Sequence, residues 1–451
     1  MLKKILRLSV LAFLLLALAF GATACRDRND PGGGTIGSDD PEAVELRIGY
    51  QQDSSEARII TSLANAFVGE QKEKGVSVRI TLVGISAADY NQSVLKMYNA
   101  KTLPDVVYTY DDYASQWAEN GVFENLDPYF EKDEFDFSLY DMNAFEAAKV
   151  YNDSVYYAPR EYNQPVVYVN TSLMSQYGID FTQYADGWTW DEMVSILENI
   201  RGQMDKQTNS DYVYPLDSSF EWAAMLNAFV RSEGGYLFDP ETRTAGFEED
   251  GTQSAMNEIM QLINDRLIAN PRSTVSGGAF LNGNAVLWIT SRPKISSCID
   301  SEIELAFLPM PLMGENEHYL CYGNTGYAIS SISQNKELAW EFCKFVMSES
   351  GQEVFSETGN CVPILLSMQQ DENATWRNYQ TLSGVDQSAF VRSDGDEYTY
   401  ILATYARRYN QSKERDIYTK VSQLIGELSN YTKQGAAAFC TYAQAQVEGV
   451  M

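Results

Sequence analysis

Few residues in this sequence could carry out nucleophilic or metal-assisted catalysis. His318 is the only histidine among 451 residues, and it stands in the polar segment GENEHYL. A Ser-His-Asp or Cys-His site would depend on that one imidazole, and the sequence contains no G-x-S-x-G motif. A glycosidase-type pair of carboxylates stays open among the 62 acidic residues. We expect no catalytic residues, no metal site and no cofactor.

Cys25 stands at the end of an N-terminal segment with its own pattern. Residues 1–24 have a short basic start, an apolar run and then small residues, which is the layout of a secretory signal peptide. The residues before Cys25 resemble a bacterial lipobox, although Ala22 stands where leucine is usual. This pattern predicts that Cys25 is acylated and becomes the mature N-terminus. Ordinary cleavage after Ala24, which would leave a free thiol, is the alternative.

The remaining cysteines give little guidance on chemistry. They are widely spaced and contain no C-x-x-C pair, which argues against a zinc site. Cys343 lies on the apolar side of the predicted helix AWEFCKFVM, so we expect a buried free thiol there. Disulfide pairing stays open for the whole set: Cys298, Cys321, Cys343, Cys361 and Cys440.

The composition is that of an acidic globular protein. The formal net charge is −29, and it becomes −32 once the three basic residues of the signal peptide are removed. Such a charge repels nucleic acid and anionic lipid, so no nucleic-acid partner is expected. Residues 25–43 are rich in Gly, Asp and Pro and predict a flexible tether, with ordered sequence from about Val44. The length of the remainder predicts two domains.

The first ordered segments alternate between strands and helices. An order of β-α-β-α-β implies right-handed crossovers and a mainly parallel sheet, in which ligands bind beyond the carboxyl ends of the strands. Tyr50, Gln51, Tyr110 and Asp111 would therefore lie along one edge. The predicted strands cover 45–50, 76–83 and 105–110, and the predicted helices cover 57–73 and 87–99.

Further along, two extended apolar segments flank the polar residues 159–164, which we interpret as a crossing between domains. Thr189 and Glu192 have the spacing of a capping box and predict a helix start. Trp117 and Trp288 are expected in the core. The later predictions are strands at 285–290 and 303–308, helices at 171–177, 220–232, 252–268, 277–281, 336–348 and 352–358, and several helices after residue 374.

Several segments, in this order, resemble one family. They include LPDVVYTYDDYASQWAENGVFENLDPYF, VYYAPREYNQPVVYVNTSLMSQYGI with WTWDEM, AFLNGNAVLWIT, and GNTGYAISSISQNKELAWEFCKFVMSESGQEVF. Together they resemble the solute-binding lipoproteins of ABC importers, in the extracellular family 1 that includes maltose-binding protein. The resemblance covers most of the mature chain.

This resemblance implies an α/β, two-lobed fold of the periplasmic-binding-protein type, with hinge-crossing segments and a central cleft that closes on ligand. The hinge crossings are expected at 158–160 and 321–323, where Gly323 and Gly326 would permit backbone rotation. The implied lobes are 44–159 with 323–362, and 160–322 with 363–451.

Most members of this family bind sugars. Aromatic rings stack on the apolar faces of sugars, and polar side chains bind the hydroxyls, inside a cleft that excludes water. The resemblance implies that the following residues contact the ligand: Tyr50, Gln51, Asp111, Arg160, Glu161, Trp222, Arg292, Tyr322 and Asn324.

Some of these assignments have alternatives. Arg160 could bridge the lobes through a carboxylate, Trp222 could pack in the core, and Asp111 could belong to a solvated loop. Arg292 stands where relatives often carry an aromatic residue, and a guanidinium there favours a carboxylate or phosphate. A uronic sugar or a peptide therefore stays open as the ligand. The acidic surface leaves a polyamine open as well, although Arg160 and Arg292 argue against a cation.

The implied partners are a small-molecule solute, expected to be carbohydrate, and the permease subunits of an ABC importer. The resemblance also implies a monomer, held by its lipid anchor at the outer face of the cell membrane. The permease and the ATPase are expected to be separate chains.

Overall fold

Two β-sheets organise the chain in the computed structural model. The model describes residues 34–204, 213–217, 220, 222–239, 242–269, 277–315, 317–391, 398–402 and 411–451. The proposed signal peptide and Cys25 lie outside these residues. The alternation of strands and helices predicted from the sequence is present, and the predicted two-lobed α/β fold is confirmed.

The first sheet contains six strands: β1 (Gly34–Gly37), β2 (Val44–Gln52), β3 (Val78–Ser86), β4 (Val106–Tyr110), β7 (Ala158–Pro159) and β15 (Thr325–Ile329), and the small hairpin β5 (Lys149–Tyr151) and β6 (Ser154–Val155) lies beside them. Their order across the sheet is β1-β3-β2-β4-β15-β7. Strand β2 is parallel to β3 and β4, as the β-α-β-α-β pattern predicts, and β15 is antiparallel to β4 and β7.

Helices cover the faces of this sheet and complete the core of the first lobe. The first of them begins after Asp53, whose carboxylate accepts hydrogen bonds from the backbone N–H groups of Ser55 and Glu56 at 2.9 Å. Its apolar side buries Ile60 and Phe67. The helices are α1 (Ser54–Glu73), α2 (Tyr90–Asn99), α3 (Asp111–Glu119), α4 (Asp127–Lys132) and α5 (Met142–Ala148), with α12 (Lys336–Met347), α13 (Glu349–Ser356) and α14 (Leu366–Gln370) added after β15.

The second sheet has the order β13-β8-β12-β9, and cores lie on both of its faces. Successive residues of a strand point to opposite faces. Accordingly Val167 and Val169 pack in one core, whereas Val166 and Tyr168 pack in another. The strands are β8 (Val166–Asn170), β9 (Tyr214–Asp217), β12 (Ala285–Thr290) and β13 (Leu305–Leu308), and β10 (Phe238–Asp239) and β11 (Thr244–Ala245) form a separate pair.

The second lobe takes helices from the middle and from the end of the chain. The capping box is confirmed, because the Thr189 N–H donates to the Glu192 carboxylate at 2.8 Å and the Glu192 N–H donates to the Thr189 hydroxyl at 3.3 Å. The helices are α6 (Thr171–Gln176), α7 (Trp190–Met204), α8 (Ala223–Ser232), α9 (Asp250–Asn264), α10 (Gly278–Leu281), α11 (Ile295–Asp300), α15 (Gln411–Ile425) and α16 (Ala436–Glu448).

Two strands differ from the sequence predictions. The range expected to be a flexible tether contains β1, which pairs with β3, so the ordered chain already includes Gly34 rather than starting near Val44. The tail expected to be helical contains β16 (Thr399–Leu402), which is parallel to β14 (Tyr319–Tyr322). Both strands have four residues, and their partners are distant in sequence, so local periodicity gave no indication of them.

The other predictions for buried residues hold. Trp117 and Trp288 are in the cores. The five cysteines after residue 33 are all buried and outside any disulfide, including Cys343, and burial raises the pKa of the Cys343 thiol.

Candidate functional site

The carboxyl edges of the two sheets face each other across a short crossing. In the first sheet, Pro159 pairs with Gly326 and Thr325 pairs with Tyr110, at the carboxyl end of β4. In the second sheet, Val166 pairs with Thr290, the last residue of β12. The intervening residues 160–165 span at most about 20 Å. Both parallel-strand edges therefore border one cleft.

Three chain segments cross between the two sheets at the base of this cleft, around Asn163, around Gly323 and around Val362. Asn163 and Gly323 exchange two backbone hydrogen bonds of 3.1 and 3.0 Å, and the N–H of Tyr162 donates to the Val362 carbonyl at 3.0 Å. Such a narrow, hydrogen-bonded connection permits rotation of one lobe against the other, which is hinge geometry.

Arg160 is committed to contacts within the protein. It is 3% exposed, and its two terminal nitrogens donate to the two carboxylate oxygens of Glu56 at 2.8 and 2.7 Å. Its Nε donates to the Thr325 hydroxyl at 2.7 Å, and its guanidinium lies 4.7 Å from the ring centroids of Tyr108 and Phe355. Each of its nitrogens thus has an acceptor within the protein, which favours the bridging role over ligand contact, and contact with ligand stays a prediction.

Glu161 belongs to the same buried cluster. Its carboxylate accepts a hydrogen bond from the Thr325 hydroxyl and lies 3.7 Å from Nε of Arg160. Burial raises the pKa of Glu161, and the charge of Arg160 opposes that shift. Glu161 therefore ties the first crossing to β15, and its contact with ligand stays a prediction.

Arg292 anchors the late chain to the second lobe. It is fully buried, its Nε donates to the Gly359 carbonyl at 3.0 Å, and its terminal nitrogens donate to Gln387 and to the carbonyl of Trp376. Its guanidinium stacks on Trp376 and Phe390 at 4.9 and 5.1 Å, and burial lowers its pKa to about 10. Its burial and these three contacts favour an internal role, and the expectation that it binds ligand, or selects an acidic one, stays a prediction.

The second crossing is also packed internally. Asn324 accepts a hydrogen bond from the Tyr157 hydroxyl at 2.5 Å and donates to the Ala144 carbonyl at 2.6 Å. Tyr322 is 5% exposed and lies against the rings of Tyr162 and Tyr400. Both residues contribute to the packing of the second crossing, and their contacts with ligand stay predictions.

Gly326 has a role different from the expected backbone freedom. A Cβ at this position would lie 2.2 Å from the carbonyl oxygen of Ala158. The glycine therefore allows β7 to lie close against β15, and the sequence prediction of a flexible position there is corrected.

The remaining predicted residues have three different placements. Tyr50 is fully buried in the first core, which removes it from the cleft wall. Gln51 is partly exposed at the carboxyl end of β2, and Trp222 is partly exposed immediately before α8, beyond the carboxyl end of β9. The backbone of Asp111 begins α3 at the carboxyl end of β4, and its side chain lies outside what the structure describes.

Tyr110 is a cleft-edge residue that our set of candidate ligand residues did not include. It is the last residue of β4 and is partly exposed, with its ring 4.6 Å from that of Tyr113. Its predicted position at the end of a strand was the sequence feature that could have identified it as a candidate ligand residue. Tyr110 thus provides a partly exposed aromatic ring at the first edge, whereas Trp222 stands five positions after β9 and packs against the core that contains Val167.

Two further findings concern metals and membranes. Within the described ranges, no group of three or more His, Cys, Asp or Glu side chains is placed to hold a metal ion. Among the helices in that part of the chain, none combines the length and apolar character needed to cross a bilayer.

Comparison with known proteins identifies the family. The profile of the bacterial extracellular solute-binding proteins matches residues 53–353, about two thirds of the chain. This chain belongs to that family. The predicted resemblance is confirmed, and the cleft between the two sheets is the place where a solute-binding protein of this architecture encloses its solute.

Individual relatives of this solute-binding protein are distant. A maltotriose-binding protein from Pyrococcus abyssi is 21% identical over 246 residues, which are 54% of this chain and 50% of that protein. The alignment thus spans about half the length of this curated relative.

Solved structures share the fold. An ABC substrate-binding protein from Listeria monocytogenes, in complex with cycloalternan, has a TM-score of 0.74 at 15% identity, over 91% of this chain and 99% of that one. UgpB from Mycobacterium tuberculosis, in complex with glycerophosphocholine, has a TM-score of 0.71 at 17% identity, over 90% and 98%. The two ligands differ in chemistry, so the shared fold does not fix the solute.

Proposed function

We propose that this solute-binding protein captures an uncharged sugar or oligosaccharide between its lobes and delivers it to an ABC permease. The observation that carries the proposal is the partly exposed ring of Tyr110 at the end of β4, and we propose Trp222, partly exposed before α8, as its counterpart on the second lobe. Sugar rings present apolar C–H faces that pack on such rings, and closure of the lobes would bury both contacts. Gln51, at the carboxyl end of β2 in the first sheet, would supply an amide for hydroxyls.

The internal commitment of the two arginines supports an uncharged solute. An acidic sugar or a phosphate ester is normally held by a guanidinium fork. Arg160 and Arg292 were the residues that suggested such a ligand, and both donate to protein acceptors. The maltotriose-binding relative and the cycloalternan complex agree with a carbohydrate.

The cellular setting is proposed on the same basis. Acylation of Cys25 would hold a monomer at the outer face of the membrane, close to its permease. We place the lobe boundary in the first crossing, between residues 159 and 160, and in the second crossing near residue 323. Ile364 and Met368 pack in the first core, which moves the last boundary to about residue 370.

We further propose that the protein is not an enzyme. The family transports solute without chemical change, and the only histidine is held by a contact of 2.6 Å between its Nδ1 and the Met313 carbonyl. A glycosidase would need two carboxyl groups facing each other across the bound sugar.

A thermal-shift panel of mono- and oligosaccharides, with glucuronate, choline esters, peptides and polyamines alongside, tests the proposal. A ligand at a hundredfold excess over its Kd stabilises the protein by about 2.7 kcal/mol, which is a clear shift in Tm. We expect a neutral sugar to give the shift. A shift only with a charged solute contradicts the carbohydrate assignment, and sugar hydrolysis in the same samples contradicts the non-enzymatic one.

A further inference from the structure

The first lobe holds one end of each of the first two crossings. On the first crossing, the Arg160 N–H donates to the Thr325 carbonyl at 3.0 Å, and the Glu161 carboxylate accepts from the Thr325 hydroxyl. On the second crossing, Asn324 donates through Nδ2 to the Ala144 carbonyl at 2.6 Å. These residues therefore stay with the first lobe when the lobes rotate against each other.

The second lobe holds the other end of the same two crossings. On the first crossing, Gln164 donates through Nε2 to the Ala389 carbonyl of the second lobe at 2.8 Å. On the second crossing, Cys321 is buried in the core of that lobe. Backbone rotation between these fixed points falls on residues 162–163 and 322–323, which we name the pivot.

Asn163 stands at the centre of the pivot. Its backbone exchanges two hydrogen bonds of 3.1 and 3.0 Å with Gly323, so the two crossings are paired at the residues that neither lobe holds. The residue is partly exposed at the base of the cleft. A change in the angle between the lobes therefore changes the surroundings of the Asn163 side chain.

The amide oxygen of Asn163 is buried and unpaired in this arrangement of the lobes. Within the part of the chain that the structure describes, no donor forms a hydrogen bond with Oδ1. The amide nitrogen is directed to Glu161, because burial raises the pKa of that carboxyl and a hydrogen bond from the Asn163 side chain is among the contacts that oppose the shift. An acceptor buried without a donor disfavours the conformation in which it occurs, and such atoms are rare in folded proteins.

The two lobes also touch each other in this arrangement. Helix α15, whose residues Ile417 and Val421 pack in the core of the second lobe, lies against α3 of the first lobe. Helix α3 begins directly after Tyr110, at the edge of the sheet that borders the cleft. The unpaired oxygen thus occurs together with contact between the lobes beside the cleft, which is a closed arrangement.

We propose that Asn163 is a positioning residue that opposes closure of the empty cleft. A rotation at the pivot that separates the lobes would expose the amide oxygen to water and remove the penalty of its burial. In the closed arrangement, contacts of the solute with both lobes must offset that penalty, so Asn163 makes closure depend on solute. The inference rests on the proposed binding of a solute between the lobes.

The distance between the lobes of the solute-free protein measures this equilibrium. Spin labels are attached at Ala87→Cys and Lys294→Cys, which are exposed positions beyond the carboxyl ends of β3 and β12, in a chain that carries Cys25→Ser. The other five thiols are buried. Double electron–electron resonance then gives the populations at the distance of the closed arrangement and at longer distances. We expect the longer distances to predominate while Asn163 is present.

Variants at residue 163 show whether the amide oxygen causes the opening. Asn163→Leu has a similar size and no acceptor, and it should raise the ratio of closed to open protein at least about fivefold. Asn163→Ala serves if that variant does not fold. Asn163→Asp keeps an acceptor and should not increase the closed population. Asn257→Ala, at an exposed position on α9, is the matched control and should change nothing.

Two results overturn the proposal. One is a solute-free protein that is already closed with Asn163 in place, and the other is an Asn163→Leu variant that is no more closed than the unmodified protein. Because no sugar is used, both results are independent of the thermal-shift panel that tests the proposed function. If the panel identifies a solute, Asn163→Leu should bind it more tightly, because the competent arrangement is more populated. Unchanged or weaker binding by a variant that is more closed contradicts the link to solute capture.

Discussion

Arg160 and Glu56 form a two-pronged ion pair inside the first lobe, with nitrogen–oxygen distances of 2.8 and 2.7 Å between residues 104 positions apart in the chain. Glu56 lies in the first turn of α1, and Arg160 begins the first crossing between lobes. The backbone of Arg160 is held as well, because its N–H donates to Thr325 and its carbonyl accepts from Gln352. The hinge therefore starts from a fixed point on the first lobe.

Replacing Arg160 with methionine should reduce stability strongly. The substitution leaves the buried carboxylates of Glu56 and Glu161 without their counterion, and loss of one partner of a buried pair costs about 3–5 kcal/mol. Urea denaturation measures the free energy of unfolding. Lys74→Met, which breaks the exposed Lys74–Glu70 pair, is the matched control and should change stability little. If the Arg160→Met protein is stable but no longer binds sugar, the prediction is contradicted and Arg160 is a ligand-binding residue.

Arg292→Lys should destabilise the second lobe without changing ligand choice. Lysine supplies one nitrogen in place of three, so carbonyls of Gly359 and Trp376 lose donors, at about 1–3 kcal/mol for each group left unpaired. We expect a lower midpoint in urea and an unchanged sugar Kd by calorimetry. A large loss of affinity for an acidic solute, with stability preserved, would contradict the internal role of Arg292.

Tyr110→Ala and Trp222→Ala should each weaken sugar binding by about ten- to hundredfold, because each removes an aromatic contact of about 2 kcal/mol. Isothermal titration calorimetry measures Kd, and Trp222→Phe should retain most of the affinity. Tyr319→Ala is the control. Like Trp222, Tyr319 is a partly exposed aromatic residue of the second lobe. It lies in a surface groove beside Arg231, at the end of α8 that is remote from Trp222. Equal losses in all three alanine variants would mean that the cleft residues are misassigned.

Glu258 should make the second lobe less stable as the pH rises. Burial raises its pKa from 4.5 to about 7, with the negative charges of Glu233 and Asp191 adding to the shift and the Trp190 hydrogen bond opposing it. A carboxyl whose pKa is raised on folding favours the folded state at low pH, and this contribution is lost between about pH 4.5 and 7.

Glu258→Gln keeps an acceptor for Trp190 and removes the titration. Because the carboxyl is partly exposed, solvent screening leaves an effect of about 1 kcal/mol. Tm should therefore be higher than in the unmodified protein at pH 8 and similar at pH 5. Glu198→Gln, at an exposed site on α7, should show no such dependence. Parallel pH profiles of the Glu258→Gln variant and the unmodified protein would refute this assignment.

Local sequence patterns were sufficient to predict most helices and strands and some of the buried positions. The capping box of Thr189 and Glu192 is a contact over three residues, and β12 has the predicted bounds because its first five residues form a continuous apolar run. Trp288 lies within that run, whereas the burial of Trp117 agrees with the general preference of large aromatic side chains for the core. By contrast, β1 has the sequence GTIG, in which two glycines lower the intrinsic strand preference, and only its pairing with β3 makes it a strand.

The roles of the site residues were harder to predict, because the residues that they contact are distant in sequence. Whether Arg292 faces solute or protein depends on Gly359 and Gln387, 67 and 95 residues away. Arg160 likewise depends on Glu56. A family resemblance assigns a residue to a strand end, but the nearby acceptors decide whether its donors are available. Tyr110 was on the predicted edge, and its exposure came from the final position of β4.

The position of β15 has a consequence for how the chain reaches its folded state. This strand lies between β4 and β7, and its pairing of Thr325 with Tyr110 joins segments more than 200 residues apart. The second lobe likewise needs Trp376 and Phe439 to complete its cores. Contacts of such long range make folding slow, and neither lobe can close its core until most of the chain has been synthesised. For the export that the proposed signal peptide implies, this delay is an advantage, because the strand order itself postpones the compact state that would block passage through a membrane pore.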